Sequence, residues 1–339
     1  MSGSVAVIIL SWNGEHYLEK FLPSVVQHTP VSLAKIIVAD NGSTDNSETV
    51  VKKFPSVEFL PLKKNYGFAD GYNKAIEQTN ADWIVLLNQD VEVTEGWLEG
   101  LLNQISLHPK LGACQPKILS LNQRSHFEYA GAAGGFLDKY GYPFCRGRIF
   151  DTIEEDKNQY NNETEIAWAS GACMLVNRNA YLQAGGLDDL FFAHMEEIDL
   201  CWRLKNLDYE IRFTPASKVY HLGGGSLPQG NPRKVFLNFR NSLLMLYKNL
   251  EKHERGRIIF MRLLLDHIAA YRALFTGNFS DFRAIAKAHY HFLLMCGEWK
   301  KKVNAKNFPR KNHLVLPGFY NGSIVKKYFL QGKKIFSQL

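Results

Sequence analysis

Val5-Ala6-Val7-Ile8-Ile9-Leu10, broken off by Ser11-Trp12-Asn13-Gly14, is a continuous apolar, β-branched run that stops at polar and turn-forming residues. An unalternating run of this length reads as a strand covered on both faces, the habit of parallel sheets. Working outward, comparable runs recur at 35–39, 57–60 and 83–87, each separated from the last by a segment of helical periodicity. That βαβα rhythm predicts an α/β fold with a mostly parallel sheet flanked by helices. Helices are expected over 15–28, with Tyr17, Leu18, Phe21, Leu22 and Val25 on the inner face, from the cap-like Ser43-Thr44-Asp45 to near Pro55, over 69–78 and over 94–107.

Residues 122–165 differ in texture. Gly131-Ala132-Ala133-Gly134-Gly135, Gly141-Tyr142-Pro143 and an acidic stretch at 151–156 predict irregular structure of the kind that forms lids. Regular pattern resumes with a strand over 166–177 and a helix over 195–205. After Pro232 the chain reads as amphipathic helices over 233–251, 254–276 and 279–302, then a tail containing Pro and Lys. We therefore divide it into an α/β domain, 1–232, and a basic helical region, 233–339.

At 339 residues, 46% hydrophobic and 22% charged, the composition excludes a disordered or fibrous protein. Charge is split along the chain. Residues 1–232 carry 19 Lys and Arg against 28 Asp and Glu, net −9, and residues 233–339 carry 21 against 5, net +16. So basic an amphipathic region is expected to seek a polyanion, and the anionic cytoplasmic face of a membrane fits better than nucleic acid, for which no binding motif is present. The most apolar helical stretch, 258–275, is interrupted by Arg262, Asp266, His267 and Arg272, so no span is expected. With no basic segment ahead of the first apolar run, a cytoplasmic, peripheral membrane location is expected. Five cysteines without CxxC spacing argue against a disulfide framework or zinc knuckle.

In open α/β sheets, ligands bind beyond the carboxyl ends of the strands. Those ends read Ser11-Trp12-Asn13-Gly14, Asp40-Asn41-Gly42-Ser43-Thr44-Asp45 and Asn88-Gln89-Asp90, so polar side chains collect along one edge. Neither GxGxxG nor GxxxxGK[ST] occurs, which argues against a dinucleotide or P-loop site. A diphosphate bound without such a loop needs another source of positive charge, and a divalent cation held by oxygen ligands is the usual one. Asp90 is positioned to hold it.

Those strand ends, with Asn65-Tyr66-Gly67-Phe68-Ala69, the segment Phe191-Phe192-Ala193-His194-Met195-Glu196-Glu197-Ile198-Asp199-Leu200-Cys201-Trp202-Arg203, and His221-Leu222-Gly223-Gly224-Gly225-Ser226, follow in an order that resembles family 2 glycosyltransferases of the GT-A fold. The resemblance covers roughly residues 4–240 and is nearest to the bacterial rhamnosyltransferases of cell-wall and O-antigen synthesis. It implies that Asp40 accepts a hydrogen bond from a pyrimidine base and that Trp12, with Asn13, lies against that base. Asn65 and Gly67 would line the nucleotide-sugar pocket. Asn88 and Asp90 stand at the family's DxD position, with Asn88 a departure from it, and His221 would complete a metal site for Mg²⁺ or Mn²⁺ with Asp90. Glu196-Glu197 stands at the catalytic ED position, with Glu197 the general base. Trp168 and Glu196 fall on the acceptor side.

The implied protein is an inverting, metal-dependent transferase taking dTDP-rhamnose or a UDP-sugar. Its acceptor would be a saccharide linked to polyprenyl diphosphate, in cell-surface polysaccharide synthesis. The departures at Asn88 and Glu197 keep open a second reading, a catalytically silent nucleotide-sugar-binding scaffold.

Overall fold

The computed structural model describes residues 3–223, 231–306 and 308–339. In chain order, the first half runs β1 (Val5–Ser11), α1 (Glu15–His28), β2 (Lys35–Asp40), α2 (Ser47–Val51), β3 (Val57–Pro61), α3 (Gly67–Glu77), β4 (Trp83–Asn88), β5 (Val91–Val93), α4 (Trp97–Leu107) and β6 (Leu111–Ser120). Short strands follow: β7 (Gly135–Asp138), β8 (Pro143–Cys145), β9 (Arg148–Ile149), β10 (Thr152–Ile153), β11 (Thr164–Glu165) and β12 (Cys173–Asn177). The chain then continues through α5 (Arg178–Gln183), α6 (Glu196–Asn206), β13 (Glu210–His221), α7 (Pro232–Asn249), α8 (Lys252–Phe275), α9 (Phe279–Lys306) and β14 (Phe319–Tyr320).

The large sheet has the order β11-β13-β6-β12-β4-β1-β2-β3, with β5 added against β13. Its β3-β2-β1-β4 half is parallel, as the βαβα rhythm requires. Both faces are covered, so the apolar run of β1 divides by alternation: Ala6 and Ile8 point into one core, Val5, Val7 and Ile9 into the other. Beyond β4 the sheet turns mixed, because β12 runs antiparallel to both β4 and β6.

The longest strands, β6 and β13, have no counterpart among the expected elements. Each carries an internal proline, Pro116 and Pro215, which argues against a strand when only the sequence is read. The structure absorbs them with a register shift between Thr214 and Lys218. The expected strand over 166–177 is strand only from Cys173, and the helix expected from 94 begins at Trp97 because Val91–Val93 pairs with β13.

Residues 122–165 are not an irregular lid. They build a second sheet, β10-β9-β8-β7-β14, over a small core of Phe144, Ile149 and Ile324. Strands of two to four residues are too short to show a period. The last strand of this sheet comes from the far end of the chain, where Phe319 and Tyr320 pair with Leu137 and Asp138. Leu243, Leu244, Met245 and Leu246 of α7, Ile258 of α8 and Phe292 of α9 lie in one core with Ile8 and Tyr72.

Candidate active site

The carboxyl ends of β1, β2 and β4 meet at one edge, held by side chains of the strand-end motifs. The Asn13 backbone N–H donates to Ser43 Oγ at 2.8 Å, and Thr44 N–H donates to Asn13 Oδ1 at 2.8 Å. Gly14 is required here, because a Cβ would lie 2.1 Å from Gln89 Oε1 and 2.3 Å from Ser11 Oγ. Asn41 acts as a splint: its Nδ2 donates to the Gly67 carbonyl at 3.0 Å and its Oδ1 accepts from Tyr66 N–H at 2.9 Å. The Asn65–Gly67 turn is thereby fixed to the end of β2. Asn65 itself is turned inward, its Oδ1 accepting from Gly67 N–H at 2.8 Å.

Two features of this edge point to a ligand. Asp40 is buried, and Ser43 N–H donates to its Oδ2 at 3.1 Å, while Oδ1 is enclosed without any partner. A buried acceptor left open is costly unless a ligand supplies the donor. Trp12, one residue beyond β1, presents a ring that is 52% exposed, a stacking surface beside that acceptor.

At the end of β4, Asp90 Oδ1 lies 3.2 Å from His221 Nε2 on β13. The other ring nitrogen faces Glu128 Oε1 at 3.5 Å, and all three side chains are buried. Burial opposes the charged ring, yet the carboxylates of Glu128 and Asp90 raise His221 to about 10. Glu128 was not singled out in the sequence, where it sits in a stretch with no legible period. Gly223 is fixed by it, with φ at +69° and space for a Cβ only 2.8 Å from Glu128 Oε1. Among the described residues, no cluster of three or more ligating side chains is arranged to hold a metal by itself. The carboxylate of Asp90 and, once a cation displaces its proton, the imidazole of His221 would form a donor pair suited to a cation that takes its remaining oxygens from a diphosphate. Asn88, partly exposed at the end of β4, makes no side-chain hydrogen bond among the described residues.

Glu196 and Glu197 open α6 from a tight turn in which Phe192, His194 and Met195 all have positive φ, at 65°, 69° and 75°. Such backbone costs energy and persists only when the surroundings impose it. The imposition comes from α7. The fully buried Asn241 donates Nδ2–H to the carbonyls of Phe191, Ala193 and His194 at 2.8–2.9 Å, and Arg240 donates to those of Leu190 and Phe191. Glu196 is buried and Glu197 partly so, and each keeps one enclosed carboxylate oxygen with no partner. Burial raises both, and the neighbouring Glu197 charge raises Glu196 further. Glu197 stands near α3 across Gly171, where a Cβ would lie 3.4 Å from the Phe68 ring and 3.9 Å from Glu197 Cβ.

Trp168 is a correction. It is a core residue, 3% exposed, with its indole N–H donating to the Phe136 carbonyl at 3.0 Å, and it cannot stack on an acceptor sugar. Its ring fills the space over Gly135, where a Cβ would come within 2.2 Å. Asp199 and Arg203 pair as their i, i+4 spacing implies, but deep in the fold, at 2.7 Å. Gly224, Gly225 and Ser226 of the motif that begins at His221 lie outside the described residues, as do the side chains of Lys300, Lys301 and Lys302. No helix among the described residues is long and apolar enough to cross a membrane.

Known proteins match this arrangement in sequence and in fold. The profile of glycosyl transferase family 2 matches residues 6–182. N-acetylglucosaminyl-diphospho-decaprenol L-rhamnosyltransferase of Mycobacterium tuberculosis is 30% identical over 239 residues, covering 65% of this chain and 76% of that protein. Rhamnosyltransferase WbbL of Escherichia coli is 24% identical over 226 residues, 64% of this chain and 83% of that protein. In fold, the mannosyltransferase PcManGT from Pyrobaculum calidifontis, solved with GDP-Man and Mn²⁺, superposes with a TM-score of 0.54 at 12% identity, over 91% of this chain and 85% of that one. GalNAc-T7, solved with UDP, GalNAc and Mn²⁺, gives 0.56 at 14% identity, over 91% and 59%. With its family profile spanning half the chain and its carboxylates gathered at the strand ends of a GT-A fold, the chain belongs to glycosyl transferase family 2 and is a glycosyltransferase.

Proposed function

We propose that the chain moves a sugar, with inversion, from a pyrimidine nucleotide donor, dTDP-rhamnose or a UDP-sugar, to a saccharide carried on a polyprenyl diphosphate. The observation that carries the reading is a pair of buried carboxylate oxygens left open, Asp40 Oδ1 at the end of β2 and Glu197 Oε2 at the start of α6. Asp40 Oδ1 would accept from the pyrimidine N–H, with Trp12 against the base and the Asn41-fixed turn of Asn65 and Gly67 bounding the sugar. Glu197 would take the proton from the acceptor hydroxyl as that oxygen attacks the anomeric carbon opposite the departing nucleoside diphosphate. A base with a raised pKa is effective near neutral pH, where it is ionised and still basic enough to accept. Asp90 and His221 would hold a Mg²⁺ or Mn²⁺ ion, which supplies charge neutralisation at the diphosphate. The decaprenol-linked substrate in the name of the mycobacterial relative supports the choice of acceptor.

A membrane-surface site of action fits the outer face of the C-terminal helices. Phe260, Leu264, Ile268, Tyr271 and Phe275 recur along α8 at helical spacing, all exposed, with Phe275 85% so. Arg257 and Arg272 are exposed on the same helix, the combination that lies flat on an anionic bilayer.

Calorimetry with UDP, dTDP, GDP and ADP, with and without Mg²⁺ or Mn²⁺, tests the donor site. One pyrimidine diphosphate is expected to bind in a metal-dependent way, and Asp90→Ala is expected to lose that binding. Binding of purine diphosphates alone, or of none, would overturn the donor assignment.

A further inference from the structure

Between the turn that leads into Glu196 and the outer helices lies a cleft of about 760 Å³, walled by Phe192, Arg233, Phe236, Arg240, Arg283 and Lys287. Four of its ten lining residues, Arg233, Arg240, Arg283 and Lys287, are cations, and among the described residues none of the four is ion-paired to a carboxylate. Three of them rest on rings instead: Arg233 lies 4.9 Å from the Phe192 centroid, and Arg240 and Lys287 lie 5.3 and 5.4 Å from that of Phe236. Burial works against the Arg240 charge, and no neighbouring anion offsets it. Four like charges around one concave, partly apolar space repel one another, and an anion in that space would relieve them.

We infer that this cleft binds the diphosphate of a lipid-linked acceptor, an inference that rests on the transferase reading above. Two observations favour a lipid-borne diphosphate over a soluble one. First, Phe192 is part of the same turn as Glu196 and Glu197, and its ring and carbonyl each come within 4.0 Å of where a Cβ on Gly67 would sit, so the cleft adjoins the donor side of the site. Phe192, which walls the cleft, precedes Glu197 by five residues in the chain. Second, Arg283 and Lys287 belong to a stripe on α9 that continues one and two turns on into Tyr290 and Leu294, at i+7 and i+11 from Arg283, both at least 60% exposed. Cation followed by apolar surface on one helical face matches a diphosphate followed by a hydrocarbon chain.

Calorimetric titration of the intact chain with farnesyl diphosphate in neutral detergent tests the inference. The wild type is expected to bind, and Arg283→Glu/Lys287→Glu, both at exposed positions, is expected to bind at least tenfold more weakly. Arg283→Gln/Lys287→Gln, expected to lose at least threefold, serves if charge reversal unfolds the chain. Equal affinity of variant and wild type, or no wild-type binding, would overturn the assignment. So would loss of phosphatidylglycerol vesicle binding with farnesyl diphosphate affinity unchanged, which would give the cations to phospholipid headgroups. A wild type that binds farnesyl diphosphate yet transfers no sugar to a farnesyl-diphosphate-linked saccharide would defeat the acceptor reading alone and leave the lipid-diphosphate cleft standing.

Discussion

Glu196 and Glu197 stand side by side at the start of α6 with no cationic partner among the described residues, and their common burial makes them compete for ionisation. Their roles separate by exposure, since Glu197 is partly exposed and Glu196 is enclosed. Glu197→Gln is expected to lower kcat by about 10²–10⁴-fold while the donor dissociation constant stays within about threefold; an unchanged kcat would remove Glu197 as the base. Because its folded-state pKa is raised, the base is lost on acidification above the ordinary carboxylate range. The acid limb of the wild-type kcat profile should therefore lie well above pH 4.5 and be absent from the variant's residual activity. For Glu196 the consequence is stability. A carboxyl raised on folding binds protons more tightly in the native state, so the fold loses stability as pH rises from the unfolded value near 4.5 towards the raised one, and the loss is complete above it. Glu196→Gln is expected to raise Tm above that pH and to have no effect below the unfolded carboxyl pKa near 4.5. A Tm gain that does not vary with pH would refute this linkage.

The helix that bears the base is placed by another helix. Lys248 of α7 donates to Asp199 of α6 at 2.8 Å and to Asp188 at 2.7 Å, Asn249 donates to Asp199 at 2.7 Å, and Arg203 completes the buried cluster. Charges buried this deeply are tolerable only while all are paired. Lys248→Met should cost about 3–5 kcal/mol, read as a lower urea midpoint, and an unaltered midpoint would show the cluster to be energetically idle. The neighbouring Asn241 fixes the carbonyls of the strained turn, so α6 and α7 act as one unit although β13 separates them in the chain. Little of this could be read from the residues alone. The Asp199–Arg203 spacing was legible as a helical pair, but its burial and its dependence on Lys248 follow from a packing partner about fifty residues away.

Over the whole molecule, the basic and apolar faces of α8 and α9 are the outer surface of the catalytic body, because α7–α9 share the central core. Membrane attachment and catalysis are therefore expected in one rigid geometry. Phe260→Asp/Phe275→Asp should reduce co-sedimentation with phosphatidylglycerol vesicles at least tenfold, and undiminished co-sedimentation would place attachment elsewhere. By itself the sequence determined the parallel half of the sheet, since unalternating apolar runs demand cover on both faces. It also determined the strand-end motifs carrying Asp40, Asp90 and His221 and the helix-start pair carrying Glu197, since their order is local text. Tertiary structure decided the proline-bearing strands β6 and β13, the small sheet closed by Phe319 and Tyr320, the burial of Trp168, and the pairing of His221 with Glu128. Each of these depends on residues distant in the chain meeting in space, and no local periodicity or propensity encodes such meetings.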